Sequence, residues 1–156
     1  MTQMPILTQR RIEAAFAKGI YAEMKAELGE ETARRILTNA VVKLAKATAA
    51  EMAAQAPEPS LDAFRAIQGA WTAEDALRTE TLKSTATEYH FNVVRCRYAE
   101  MYREMGAADL GAILSCNRDG AFCEGWNDKL KLTRTQTLMG GASHCDFRYA
   151  MQNAET

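Results

Sequence analysis

Apolar residues recur at helical spacing through the first half of the chain and at alternate positions towards its end. Ile12, Phe16, Ile20, Met24 and Leu28 return every fourth residue, which predicts a helix with these five side chains turned to a core. Gly29 follows where a left-handed C-terminal cap is wanted. A second helix is predicted from about Glu30 to Ala54. Ala33, Ile36, Leu37, Ala40, Val41, Leu44 and Met52 form its apolar stripe, while Lys43, Lys46 and Glu51 stay in water. The alanines in that stripe admit a close helical neighbour, either from this chain or from a second copy in a homo-oligomer. "APEPS" at 56–60 breaks the pattern, because proline cannot continue the hydrogen-bond ladder. Ser60 is placed to cap a short helix carrying Leu61, Phe64 and Ile67, and Thr72 to cap another before Leu77.

After about residue 85 the period changes from helical to alternating. In "TEYHFNVVRCRY", Tyr89, Phe91 and Val93 fall on one side, and His90, Asn92, Val94 and Cys96 on the other. "YAEMYREM" reads as a short helix ending at Gly106, and a further helical stretch runs from Ala107 towards Gly125. "DKLKLTRTQTLM" is strand-like, and "GGAS" turns it back into "HCDFRYAMQ". The chain therefore reads as one α+β domain over 1–156. A helical N-terminal half, about 1–80, packs with a small antiparallel sheet, about 85–152, that ends in a C-terminal β-hairpin.

Composition narrows the class without naming a function. The 156 residues are 47% hydrophobic and 25% charged, with a formal net charge of -1. That suits an ordinary globular domain and gives no basic field for nucleic acid or an anionic membrane. No stretch nears the ~20 apolar residues of a membrane span, and "MTQMPILTQRR" lacks a signal-peptide pattern. The expectation is a cytoplasmic protein with reduced thiols and a small-molecule partner. The spacing of Cys96, Cys116, Cys123 and Cys145 contains no CxxC, and no glycine-rich phosphate loop, HExxH or GxSxG is present. No cofactor or resident metal is expected.

Several residues carry candidate chemistry. On a continuous helix, Cys116, Asp119 and Cys123 lie at i, i+3 and i+7, on one face. A thiol one turn before a carboxylate suits a nucleophile with a proton-handling or substrate-orienting partner. It also suits a packed thiol beside a surface charge. On the last strand His144, Asp146 and Arg148 share one face, and Cys145, Phe147 and Tyr149 the other. His144 or His90 could move protons near neutral pH. His90, Asn92 and Cys96 share a parity that lines a pocket or forms the wet side of an edge strand.

The segments "FNVVRCRYAEMYREMGAADLGAILSCNRD" and "TRTQTLMGGASHCDFRY" resemble the L-2-amino-thiazoline-4-carboxylic acid hydrolase family. The likeness covers roughly residues 89–149 and rests on "RCRYAEMY", "CNRD", "RTQTL" and "GG…HCDF", in that order. It implies hydrolysis of a carbon–nitrogen bond in a cyclic amidine. Cys116 would then attack, Asp119 hold the amidinium, His144 or His90 protonate the leaving nitrogen, and Arg134 hold a carboxylate or stabilise the thiolate. A more distant likeness is to vinyl-reductase-type ligand-binding domains, some of which bind zinc; it implies that a non-catalytic binding module is the alternative. Cys116 and Cys145 match two of those zinc ligands, but Arg134 and Thr137 stand where a carboxylate and a thiolate are needed. A cysteine-ligated metal using Cys96, Cys116, Cys145 and a histidine is a third reading. The likeness gathers Cys116, Arg134, Thr137 and Cys145 around one pocket. Arg134 and Thr137 differ in strand parity, so an irregularity is expected near Thr135 and Gln136, with Arg134 pointing elsewhere if the strand is regular.

Overall fold

A computed structural model of the chain describes residues 3–152. Helices α1 (Ile6–Leu28) and α2 (Glu30–Gln55) are joined by Gly29 alone, whose φ of 82° turns the chain back on itself. Helix α3 (Leu61–Ile67) starts at Ser60, whose hydroxyl accepts the Ala63 amide at 3.1 Å. A single helical turn, α4 (Gly69–Thr72), leads into a tight turn at Glu74 and Asp75, both with positive φ. Strands β1 (Leu77–Ser84) and β2 (Glu88–Cys96) follow, then α5 (Arg97–Glu104) and α6 (Ala108–Gly111). A π-helical turn over Ala112–Cys116 connects α6 to α7 (Asn117–Trp126). Strands β3 (Leu130–Thr133) and β4 (Cys145–Met151) complete a four-stranded antiparallel sheet of order β1-β2-β4-β3.

The α+β class holds, with three differences from the sequence pattern. Strand β1 begins inside the half expected to be helical and runs on through residues assigned to no strand; "LRTETLKS" is polar and almost wholly exposed, so it lacks the apolar alternation that marks a half-buried strand. In α1 four of the five residues expected in the core face outward, Ile12 at 56% exposure, Phe16 at 75%, Ile20 at 45% and Leu28 at 50%, while Met24 packs inward. The helix instead buries Arg10, Ala14 and Tyr21. The third difference is the hairpin, which is not tight. Strand β3 stops at Thr133, and eleven residues separate it from β4.

The alanines of α2 meet α7 of the same chain. Ala45 and Ala49 are buried, and at Gly125 an added Cβ would collide with the Lys46 carbonyl oxygen and lie 2.9 Å from the Ala49 Cβ. Only glycine allows that approach. Two apolar cores result. One joins α1 and α2 to α5 and α6 through Tyr21, Val41, Tyr102 and Leu110. The other joins the sheet to α3 and α7 through Phe64, Val93, Trp126 and Tyr149. Among the described residues no helix is long and apolar enough to cross a membrane.

Candidate functional site

A cavity of about 520 Å³ lies between the two cores. Exposed lining residues Gln9, Ala40, Leu44 and Thr48 mark its mouth between α1 and α2. The sheet contributes through its alternation. Phe91 and Val93 of β2, and Cys145, Phe147 and Tyr149 of β4, face the cavity and are buried. Phe91 and Phe147 pair across the ladder and stack at 5.0 Å with planes 8° apart. Cys96 has the opposite parity to these residues, yet it also lines the cavity. The register shifts between Arg78↔Arg95 and Thr79↔Val93, leaving Val94 as an extra residue in β2. That bulge reverses the parity beyond it and turns Cys96 inward.

The helical wall depends on the π turn. The Asn117 amide donates to the Ala112 carbonyl, five residues back, and the wider turn shifts the following register by one residue. Leu114, Ser115, Cys116, Arg118, Asp119 and Phe122 all reach the cavity. Cys123 instead packs into the sheet-side core at 1% exposure.

Arg134 reaches the same space because the chain leaves the ladder after Thr133. The Thr135 and Gln136 amides donate to the Asp146 carboxylate at 2.9 and 3.0 Å rather than to a neighbouring strand. Arg134 then donates from Nη1 to Asp119 Oδ2 at 2.6 Å and from Nη2 to the Cys116 carbonyl at 3.2 Å, with its guanidinium 5.1 Å from the Phe147 ring centre. The chain leaves the ladder just before Thr135 and Gln136, where an irregularity was expected, and Arg134 enters the cavity; Thr137, expected to share it, does not. Thr137 caps its own turn, accepting the Gly140 amide on Oγ1 at 3.0 Å.

The electrostatics also revise the sequence reading. Burial pushes the Cys116 thiol up to about 12, Asp119 adds to the rise, and Arg134 only partly opposes it. An arginine beside a thiol was expected to favour thiolate. Here the guanidinium is held by Asp119, so Cys116 is a thiol at neutral pH. Burial likewise raises the Asp119 carboxyl above the usual carboxylate range, with Arg134 pulling the other way. Cys96 is pushed up to about 11 by burial, and Cys145 is raised too, although its sulfur accepts the Leu138 amide at 3.1 Å.

The structure thus brings together Cys96, Cys116, Asp119, Arg134 and Cys145. It does not bring His90, Asn92, Thr137 or His144 to the cavity. His90 and Asn92 lie on the outer face of β2, where His90 is 3.6 Å from Glu88 and Asn92 accepts from Arg148 at 2.9 Å. His144 precedes β4, 2.9 Å from the Ser143 hydroxyl. Three charged lining residues were not anticipated: Arg10, Glu13 and Arg118. The cysteine-ligated metal considered from the sequence does not fit the residues present. Among the described residues no three His, Cys, Asp or Glu side chains converge as metal ligands, and the Arg134 cation occupies the space beside Cys116 and Asp119.

Comparison with known proteins follows the same lines. The sequence profile of L-2-amino-thiazoline-4-carboxylic acid hydrolases matches residues 9–149. A search of curated proteins finds no match. Among solved structures, the chain is similar to the phenol-responsive sensory domain of the transcription activator PoxR, determined with phenol. The TM-score is 0.54 at 17% identity, covering 88% of this chain and 73% of that one. At that identity the likeness is one of fold.

Proposed function

This chain belongs to the L-2-amino-thiazoline-4-carboxylic acid hydrolase family, and from that premise we propose that it hydrolyses a small cyclic amidine inside the cavity, with Cys116 as nucleophile. The observation that carries this reading is the Cys116–Asp119 pair, one helical turn apart in a single cavity, with Arg134 fixed on the carboxylate. A thiol raised to about 12 cannot wait as thiolate, so its proton must leave as the sulfur attacks. Asp119 is the acceptor. Cys116 Sγ adds to the amidinium carbon while its proton passes to Asp119. The ring carbon–nitrogen bond then breaks, and Asp119 returns the proton to the departing nitrogen. Water next adds to the carbon held on sulfur, giving a proton to Asp119. The bond to Cys116 breaks as Asp119 passes that proton back to the sulfur, restoring thiol and carboxylate, for a net addition of one water across the ring bond. Asp119 takes the proton-moving role that the sequence reading gave to a histidine.

Replacing Cys116 with serine and following ring opening of 2-amino-2-thiazoline-4-carboxylate is the test. Loss of turnover is expected; undiminished turnover removes the nucleophile assignment. A second reading, a binding module without chemistry, draws on the aromatic rings of the lining and on the protonated thiol. It also draws on the phenol bound by the PoxR domain. Binding with unchanged ligand after long incubation would favour it.

A further inference from the structure

Two guanidiniums of the cavity have no part in that reaction. Arg10, on α1, and Arg118, in the first turn of α7, converge on one carboxylate. Glu13 Oε2 lies 2.9 Å from Arg10 Nη1 and 3.5 Å from Arg118 Nη2, and Glu13 Oε1 accepts a second bond from Arg10 at 3.1 Å. Arg118 also donates from Nε to the Leu114 carbonyl at 2.6 Å, which fixes its head beside the π turn. Arg10 is only 8% exposed, yet among the described residues Glu13 is its one hydrogen-bond partner. A guanidinium carries five donors, and those of Arg10 without a protein partner are not sealed from solvent, so they stand open to the cavity for an anion or water.

Charge balance points the same way. Three guanidiniums and two carboxylates line the cavity, one positive charge in excess. Arg134 and Asp119 neutralise each other at 2.6 Å, so the excess resides at Arg10, Glu13 and Arg118.

We propose that Arg10 and Arg118 form a subsite for one carboxylate of the bound ligand, with Glu13 as the counter-charge that the ligand displaces. A single excess charge selects a monoanion, and two planar forks suit the two oxygens of a carboxylate. This assigns the anionic end of the substrate proposed above. It rests on that reading only for the identity of the ring. Arg134, engaged by Asp119, is relieved of the carboxylate-holding role suggested by the sequence.

The test is a binding measurement that needs no turnover. Benzoate and benzamide have the same shape and differ in charge, and both suit the aromatic lining. Calorimetric titration of the full chain is expected to show benzoate binding about tenfold or more tighter than benzamide. Arg118→Gln should reduce that ratio to within about threefold, since a charge-assisted bond is lost. Glu13→Gln should tighten benzoate alone, because it removes the competing carboxylate; a structural role for Glu13 would weaken both ligands. Equal affinity for the two ligands, no binding of benzoate, or weaker benzoate binding by Glu13→Gln overturns the subsite. Failure of the ring-opening assay leaves these outcomes untouched.

Discussion

The cavity is lined by two sets of side chains built on opposite principles. The aromatic set comes from α3, α4, the sheet and the later part of α7. Phe64, Trp71, Phe91, Phe122, Phe147 and Tyr149 touch one another at ring separations of about 5–6 Å and make a wall whose shape is set by its own packing. The charged set, Arg10, Glu13, Arg118, Asp119 and Arg134, comes from α1, the start of α7 and the segment between β3 and β4. Its members hold position through one another and through the Leu114 and Cys116 carbonyls. One set supplies apolar contact area for a planar ring. In the proposed reaction the other supplies orientation and proton transfer, and it is the costlier to build, because each charge is partly taken out of water. The guanidinium of Arg134 over Phe147 is where the two sets meet.

The largest separation of the two sets should come from Asp119→Asn. It removes the proton acceptor while keeping shape, so kcat/KM for ring opening should fall by roughly 10²–10⁴. Phenol, which needs only the aromatic wall, should bind within about threefold of the unaltered protein. The pH profile sharpens the assignment. Asp119 must be ionised to accept a proton, and burial raises its pKa above the usual carboxylate range. Activity should therefore fall with decreasing pH at a higher pH than a free carboxylate would dictate, and the residual activity of the Asp119→Asn variant should lack that limb. A profile unchanged by the substitution would assign the limb to another group.

Phe147→Ala attacks the other set. Phe147 is 8% exposed and stacked on Phe91; its loss should cost about 3 kcal/mol, the low end for a truncated core phenylalanine because the cavity already borders it. Denaturant unfolding reads that value. Ligand affinity should fall for phenol and benzoate alike, whereas substitutions at Arg118 affect benzoate alone. A loss confined to benzoate would mean that Phe147 acts by seating Arg134 rather than by covering a ring.

These sets differ in how far the sequence reveals them. The strands β2 and β4 are legible because one face is buried and the other wet, so Phe91, Val93, Cys145, Phe147 and Tyr149 alternate cleanly. Cys116 and Asp119 are legible because both lie within one local helical segment. Arg10 and Glu13 are not. They sit on α1 more than a hundred residues before Arg118, inside a stretch whose conspicuous stripe, Ile12, Phe16 and Ile20, is exposed. Small residues make the true contact face of α1, with Ala14 and Ala17 beside Leu7, Tyr21 and Met24. An arginine interrupting that quieter stripe was the signal for Arg10. The bulge at Val94 and the π turn at Ala112–Cys116 change register without a proline or other local mark, so the inward turn of Cys96 follows only from the paired strand.

The smallest effect tests how the charged set is held. Asp146 lies outside the cavity, but its carboxylate collects the Thr135 and Gln136 amides and the Thr135 hydroxyl. Partial desolvation opposes its ionisation, yet these hydrogen bonds hold the carboxyl down to about 2. A carboxyl depressed on folding stabilises the fold above its unfolded value and loses that contribution as pH falls towards about 2. The group is only half-buried and stays screened by solvent, so the contribution is discounted to about 1 kcal/mol. Asp146→Asn should remove that much stability at pH 7 and flatten the acid side of the stability curve between about pH 4 and pH 2. It should also free residues 134–137 from their anchor and let Arg134 drift from Asp119, lowering kcat more than it raises KM. If kcat holds while stability falls, Arg134 is positioned by Asp119 alone, and the loop before β4 is only a connection.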